Sequence, residues 1–369
     1  MFFKPRFIKE ARAMVDGANR LLRYQSDRLK PGQLADAEAA VDALRQAIKD
    51  KKPDAVRERS ANLEKVIGRT IPPMPHSGWR ENCEVILVAI IIAAGVRAYL
   101  VEPFKIPTGS MQPTLNGIVG VRSDDPMPNP IIRVYDFVVN GRSWFDLVAK
   151  RDDVVLELRS RSYLNYFTYT DIICENEKYT VFAGVDTVRR DFNIQEGRIL
   201  KEGQPIVRGF VDNGDFLLVN KLAYHFAAPK VQDVFIFRTT GIELIQRTLP
   251  PGVSSQHYIK RIAGSGGDEL RIDPPKLFIN GTPAQGRMFD RIMSEKNGYR
   301  GYSNGNPMFN FLTSPSAVYR VPKGSYFALG DNSYNSSDSR YFGSVSAQNV
   351  TGKGFVVFWP LTKRWGFIE

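Results

Sequence analysis

Tyr258-Ile259-Lys260-Arg261-Ile262 reads as a β-strand, dense in aromatic and β-branched residues whose side chains alternate between two faces. Alternation can turn Lys260 toward an apolar interior and sends Arg261 to the opposite face, where it needs a carboxylate partner. The same signature recurs outward from this stretch, over Phe216–Val219, Val234–Phe237, Leu277–Ile279, Val318–Val321 and Phe355–Trp359. Clusters of Gly and Pro, such as Leu249-Pro250-Pro251-Gly252 and Asp273-Pro274-Pro275, separate the runs. Farther upstream, Asn116 to Asn213 holds more strand-like pieces (DVVLEL, KYTVFAGV, QPIVRGFV) and is expected to be a β-rich insertion. The pattern predicts a mainly β, antiparallel fold.

The N-terminal part obeys a different period. Phe7–Arg28, Gln33–Ile48 and Ala55–Ile67 carry apolar residues three and four apart, broken at Lys30-Pro31-Gly32 and Lys52-Pro53 and ended before Pro72-Pro73. They predict a small, Lys/Arg-rich helical region over residues 1–82. Val85 to Val96 (VILVAIIIAAGV) then holds no charge, and apolar character resumes after Arg97 as far as Val101. At about 17 residues the run is near the lower limit for crossing a bilayer. Trp79 and Tyr99 stand where interfacial aromatics belong, and Arg97 can snorkel. One transmembrane helix is therefore expected at 83–101, and about eighty preceding residues exclude a cleaved signal peptide. The basic first region favours the cytoplasmic side and puts everything after Val101 outside.

The chain of 369 residues has room for about two domains, and 43% hydrophobic with 24% charged residues, Phe 23 and Tyr 15 suits a globular, β-rich protein. Its net charge of +11 is scattered and held in no nucleic-acid motif, so it reads as solubility and attraction to anionic lipid, with no nucleic-acid partner. Cys83 and Cys174 make no disulfide framework. His76, His225 and His257 sit at no ligand spacing with a cysteine, so neither metal nor cofactor is expected.

Ile106-Pro107-Thr108-Gly109-Ser110-Met111 follows closely on the apolar run. A serine becomes a nucleophile when a base removes its proton and donors meet the developing oxyanion. Gly109 lets the backbone approach a substrate, leaving the Ser110 N–H and the Thr108 hydroxyl as donors, while Pro107 and Pro113 stiffen both sides. The histidines offer no triad context, and the G-x-S-x-G elbow is missing because Met111 and Gln112 follow the serine. Lysine is the better base. Keeping an exposed lysine neutral near physiological pH costs about 4 kcal/mol, and burial can lower its pKa by about 3 to 5 units, so Lys260 in apolar surroundings can serve. Gly330 to Arg340 is rich in hydroxyls and carboxylates; counted from Asp331, the sixth position is Ser336 and the twelfth Phe342, which rules out an EF-hand. Gly264-Ser265-Gly266-Gly267 completes no phosphate-loop pattern.

In their order these segments resemble bacterial type I signal peptidase, the membrane-bound Ser/Lys endopeptidase that removes signal peptides from exported preproteins. Val96 to Leu115 is similar to the family's membrane exit and nucleophile box, and Gly214-Asp215-Phe216-Leu217-Leu218-Val219-Asn220-Lys221 to the next box. Asp233 to Phe237 and Tyr258 to Gly264 resemble the lysine box, and Gly330 to Arg340 the last. The resemblance implies a β-barrel-like catalytic domain, formed by residues 102–115 and 214–369 around the insertion at 116–213. It implies Ser110 as nucleophile, Lys260 as general base, and Thr108 with the Ser110 amide as oxyanion hole; Lys221 is not the base. Ser336 would orient the Lys260 amine, Arg261 would pair with Asp331, and Asp338 with Arg340. Ile106, Met111, Leu115, Tyr258 and Ile259 would line pockets for small residues at the first and third positions before the cut. Signal peptides and the lipid bilayer are the implied partners, with the secretion translocon a candidate, at the bacterial cytoplasmic membrane. The resemblance covers about half the chain. The insertion, Val231-Gln232-Asp233 in place of Arg/Gly-Asp, and the missing proline in Gly264–Asp268 depart from the family pattern. A membrane-anchored binding protein with a degenerate peptidase domain, and a relative dedicated to one exported substrate, stay open as other readings.

Overall fold

The structure, a computed structural model, describes residues 6–27, 29–71, 77–163, 167–249 and 253–369; Arg28, Pro72-Pro73, His76 and Pro250-Pro251-Gly252 lie outside them. Two compact units divide the chain, Met1–Ile91 and Ile92–Glu369. The first holds helices α1 (Arg6–Gln25), α2 (Pro31–Asp50) and α3 (Pro53–Thr70). Pro31 and Pro53, read as breaks, in fact open α2 and α3, where a missing N–H costs no helical bond and the fixed φ suits the first turn. Ile8, Val15 and Leu22 of α1 bury with Val41 and Leu44 of α2 and Val56 and Leu63 of α3 in one core.

Helix α4 (Ser77–Tyr99) carries the apolar run across the division between the units. Its side chains are bare: Ile90 is 58% exposed, Ile91 and Ile92 61% each. The helix stops short of the expected end. Leu100 O accepts from Lys221 N, and Val101 opens strand β1 (Val101–Lys105) opposite Asn220, so sheet pairing takes the residues that apolarity alone assigned to the helix.

Within the second unit the insertion has its own core, including Val155, Ile172, Val181, Leu200 and Val207. Strands β2 (Ile118–Arg122), β3 (Arg142–Val148), β4 (Asp153–Tyr163), β5 (Phe167–Cys174), β6 (Lys178–Val181), β7 (Ile199–Leu200) and β8 (Pro205–Asn213) form two antiparallel sheets, ordered β2-β8-β3 and β6-β5-β4-β7. Helices at Pro130–Tyr135 and Val185–Phe192 are too short to show a period in the sequence; the second buries Val188 and Phe192 in this core. The insertion leaves and returns at one point. Ile118 lies opposite Asn213, and Asp215 N donates to Asn116 O at 2.8 Å.

The main sheet adds β9 (Phe216–Asn220), β10 (Val234–Arg238) and β11 (His257–Ser265). A side sheet of β12 (Glu269–Asp273), β13 (Lys276–Ile279), β14 (Thr282–Pro283) and β15 (Val318–Arg320) follows, and then β16 (Ser325–Leu329), β17 (Val345–Ser346), β18 (Val350–Trp359) and β19 (Gly366–Phe367). The main order is β1-β9-β18-β10-β11-β16-β17, with β19 on β18, antiparallel throughout and half-barrel in curvature. Strand β1 feeds the Ser110 segment, β11 carries Lys260, and β16 leads into Gly330–Arg340, so the sheet gathers segments far apart in sequence.

Candidate active site

Ser110 lies in a single 3-10 turn, Gly109–Met111, and Lys260 stands opposite Phe235 of the neighbouring strand. Both are closed to water, at 6% and 4% exposure. Lys260 Nζ donates to Ser110 Oγ at 2.8 Å and to the Ile259 carbonyl at 3.0 Å. Burial lowers the Lys260 pKa from 10.5 to about 8; Asp338 and Asp331 work against the shift and Arg340 adds to it. An amine titrating there is partly neutral near pH 7.5 and can take the hydroxyl proton.

Asp331 ties the two sides of the site together. Its carboxylate accepts from Arg261 Nε at 2.8 Å and Nη2 at 2.7 Å, with both side chains fully buried, and from the Thr114 hydroxyl at 2.5 Å. Burial opposes the charge on Arg261, yet Asp331 more than offsets it and holds the guanidinium above its usual range. Asn332 adds two bonds to the Ser110 turn: its N–H donates to Ser110 O and its Nδ2 to Gly109 O, each at 3.0 Å. Tyr299 OH lies 3.0 Å from the Thr114 hydroxyl. Thr114 and Asn332 sit inside segments singled out above without being assigned a role, and nothing local marks Tyr299.

Asp338 receives Arg340 Nε at 2.9 Å and Nη2 at 2.7 Å, again fully buried. Burial pushes its carboxyl up, but the Arg340 charge and hydrogen bonds win and hold it below the usual range. Ser336 makes no such link. Its hydroxyl is buried and lies toward Asp338, whose carboxyl it helps to hold low, and the second acceptor of Lys260 is the Ile259 carbonyl instead. Thr108 is exposed and precedes the turn without a side-chain bond to it.

The residues expected to line substrate pockets divide. Ile106, Met111 and Leu115 are fully or almost fully buried with Leu217 and Val357, and Ile259 packs against them. Tyr258 lies on the strand face opposite Ile259 and shared with Lys260, whose Nζ is 5.4 Å from its ring centroid; the ring also lies 6.0 Å from Phe237 and 6.2 Å from Phe342. Lys221 is engaged elsewhere, 2.7 Å from Glu102 and 3.3 Å from the carbonyls of both Arg97 and Ala98. Gln232, where the family pattern has glycine, holds a left-handed φ of 80°; its side chain donates to Gln285 O at 3.2 Å and accepts from Met288 N at 3.3 Å, which compensates the backbone cost. Among the described residues no cluster of three or more His, Cys, Asp or Glu side chains could hold a metal ion.

Gly330 is where the last segment meets Ser110. A Cβ there would lie 2.5 Å from the Ser110 carbonyl oxygen and 2.7 Å from Ser336 Cβ. Gly330→Ala is expected to force the two segments apart, costing about 1 to 3 kcal/mol of stability as overpacking does. A melting curve matching that of the wild type would show that the contact yields freely.

Comparison with known proteins bears on the same segments. The family described as signal peptidase, peptidase S26, matches residues 209–359. A signal peptidase I of Pseudomonas fluorescens is 31% identical over 187 residues, 42% of this chain and 62% of that protein. Another, from Leptolyngbya laminosa, is 30% identical over 149 residues, 40% of this chain and 62% of the relative. The chain thus spans about three-fifths of the length of these curated relatives. A solved signal peptidase I structure from Enterococcus faecalis V583 is 26% identical, covering 34% of this chain and 97% of that one, with a TM-score of 0.24, too low to bear on the fold. Residues 209–359 thus match the signal peptidase, peptidase S26 family, and the chain is similar over that region to type I signal peptidases.

Proposed function

We propose that the chain is a membrane-bound serine endopeptidase that cleaves N-terminal signal peptides from exported preproteins with a Ser110/Lys260 dyad. The observation that carries this reading is the 2.8 Å bond between a buried, pKa-lowered amine and a buried serine hydroxyl. The neutral Lys260 amine takes the Ser110 proton as Oγ attacks the scissile carbonyl. The Ser110 N–H and the Thr108 hydroxyl receive the oxyanion, the ammonium returns the proton to the departing amine, and water then releases the acyl group by the same relay. Arg261–Asp331 and Asp338–Arg340 hold the two sides in place. Ile106, Met111, Leu115, Tyr258 and Ile259 shape the acceptance of small residues, and Ser336 is the further residue proposed to orient the Lys260 amine.

The bare apolar length of α4 supports anchoring in a bilayer, with the N-terminal helices cytoplasmic, the catalytic unit outside and the secretion translocon as neighbour. Purified full chain is expected to cut a preprotein after an Ala-x-Ala site, and Ser110→Ala to remove the activity. Undiminished cleavage by that variant, followed by mass of the released peptide, would refute Ser110 as nucleophile.

A further inference from the structure

Where α4 gives way to β1, a cavity of about 400 Å³ is lined by Tyr99, Lys221, His225, Arg238, His257 and Thr351, none of which the proposed reaction uses. Arg238 and His257 face each other across β10 and β11. Lys221 reaches the last-turn carbonyls of α4 and pairs with Glu102, the one carboxylate on the cavity wall. Among the described residues no carboxylate pairs with Arg238. His225 Nδ1 lies 2.8 Å from Lys221 O, which leaves its other nitrogen for a ligand, and the Thr351 hydroxyl is buried without a partner.

The Arg238 guanidinium and two imidazoles around one space, with the Glu102 charge held by Lys221, form a donor set suited to an anionic oxygen cluster. We propose that this cavity takes a phosphate-bearing anion at the level where the apolar helix ends, the height of an anionic lipid headgroup in the membrane-bound reading above, on which the inference rests. Basic pockets beside membrane helices recognise headgroups in this way, and Tyr99 suits the interface. His257 is three residues from Lys260 on the same strand, so a bound headgroup would hold the strand of the base at the bilayer surface.

The test titrates full chain in neutral detergent with short-chain phosphatidylglycerol, short-chain phosphatidylcholine and inorganic phosphate, by calorimetry. Phosphatidylglycerol is expected to bind about tenfold tighter than phosphatidylcholine; Arg238→Gln should weaken it about tenfold, as loss of a charge-assisted bond does, and His257→Gln about threefold, as loss of a neutral hydrogen bond does, because burial holds the pKa of the His257 imidazole low. Circular dichroism checks that both exposed-site variants remain folded. Unchanged phosphatidylglycerol affinity in the folded variants overturns the site. Arg238-dependent binding of inorganic phosphate without phosphatidylglycerol binding overturns the lipid source. Partition of the chain into phosphatidylcholine vesicles is measured separately: failure to partition, with Arg238-dependent phosphatidylglycerol binding intact, refutes the membrane reading and supports the anion site.

Discussion

Lys260→Met is expected to lower kcat by about a thousandfold or more, the scale of a lost general base, while Lys221→Met keeps turnover within a few-fold of wild type. Lys260 donates to Ser110 Oγ, whereas the Lys221 amine is spent on Glu102 and the end of α4. The opposite outcome would exchange their roles. The reaction needs the neutral amine, so wild-type activity should rise with pH through the Lys260 pKa of about 8. Lys105 is also lowered by burial to about 8, so the limb alone does not name its owner. Lys105→Met should leave the rise in place. Stability carries the same signature with a definite sign. The folded amine titrates near 8 and the free one near 10.5, so between these values the unfolded chain binds more protons and stability grows as pH rises. The Lys260 share approaches about 3 kcal/mol on the pKa scale, and Lys105 adds to the same window with the same sign. Melting curves at pH about 8 and about 10 for wild type and Lys260→Met read the Lys260 share as the difference between their gains.

Asp331→Ala should be the most damaging substitution for the fold near the site, at about 3 to 5 kcal/mol, because it strands the buried Arg261 charge. It also removes the acceptor of the Thr114 hydroxyl and so loosens the nucleophile segment. Replacing both partners, Arg261→Met with Asp331→Leu, restores apolar packing and is expected to recover much of the melting temperature without recovering cleavage. A double variant that regains activity in full would show that the pair only fills space. Asp331→Ala melting with wild type would show that the charge on Arg261 finds relief elsewhere.

Six strand runs between Phe216 and Trp359 were legible from aromatic and β-branched density bounded by Gly and Pro, whereas Glu269–Asp273 and Ser325–Leu329 were not singled out, the latter buried along a continuous apolar stretch without alternation. The Ser110 and Lys260 segments were legible for a different reason, their likeness to a family's ordered boxes. The links that aim Ser110 were not. Thr114 meets Asp331, and Asn332 meets Gly109, across more than two hundred residues, and a single sequence holds no sign of which polar groups meet at that range. The Ser336 expectation shows the converse: a family role names the residue, while the hydrogen bond depends on where the hydroxyl settles. Pro31 and Pro53 were seen as interruptions, though the same rigid φ that ends one helix begins the next.

Ile118 and Asn213 stand on a single rung, and beyond them the chain builds a body with its own core before coming back. Such a stem works as a socket. Modules can be gained, lost or exchanged above it through evolution, while the host strands keep their neighbours and the serine keeps its lysine.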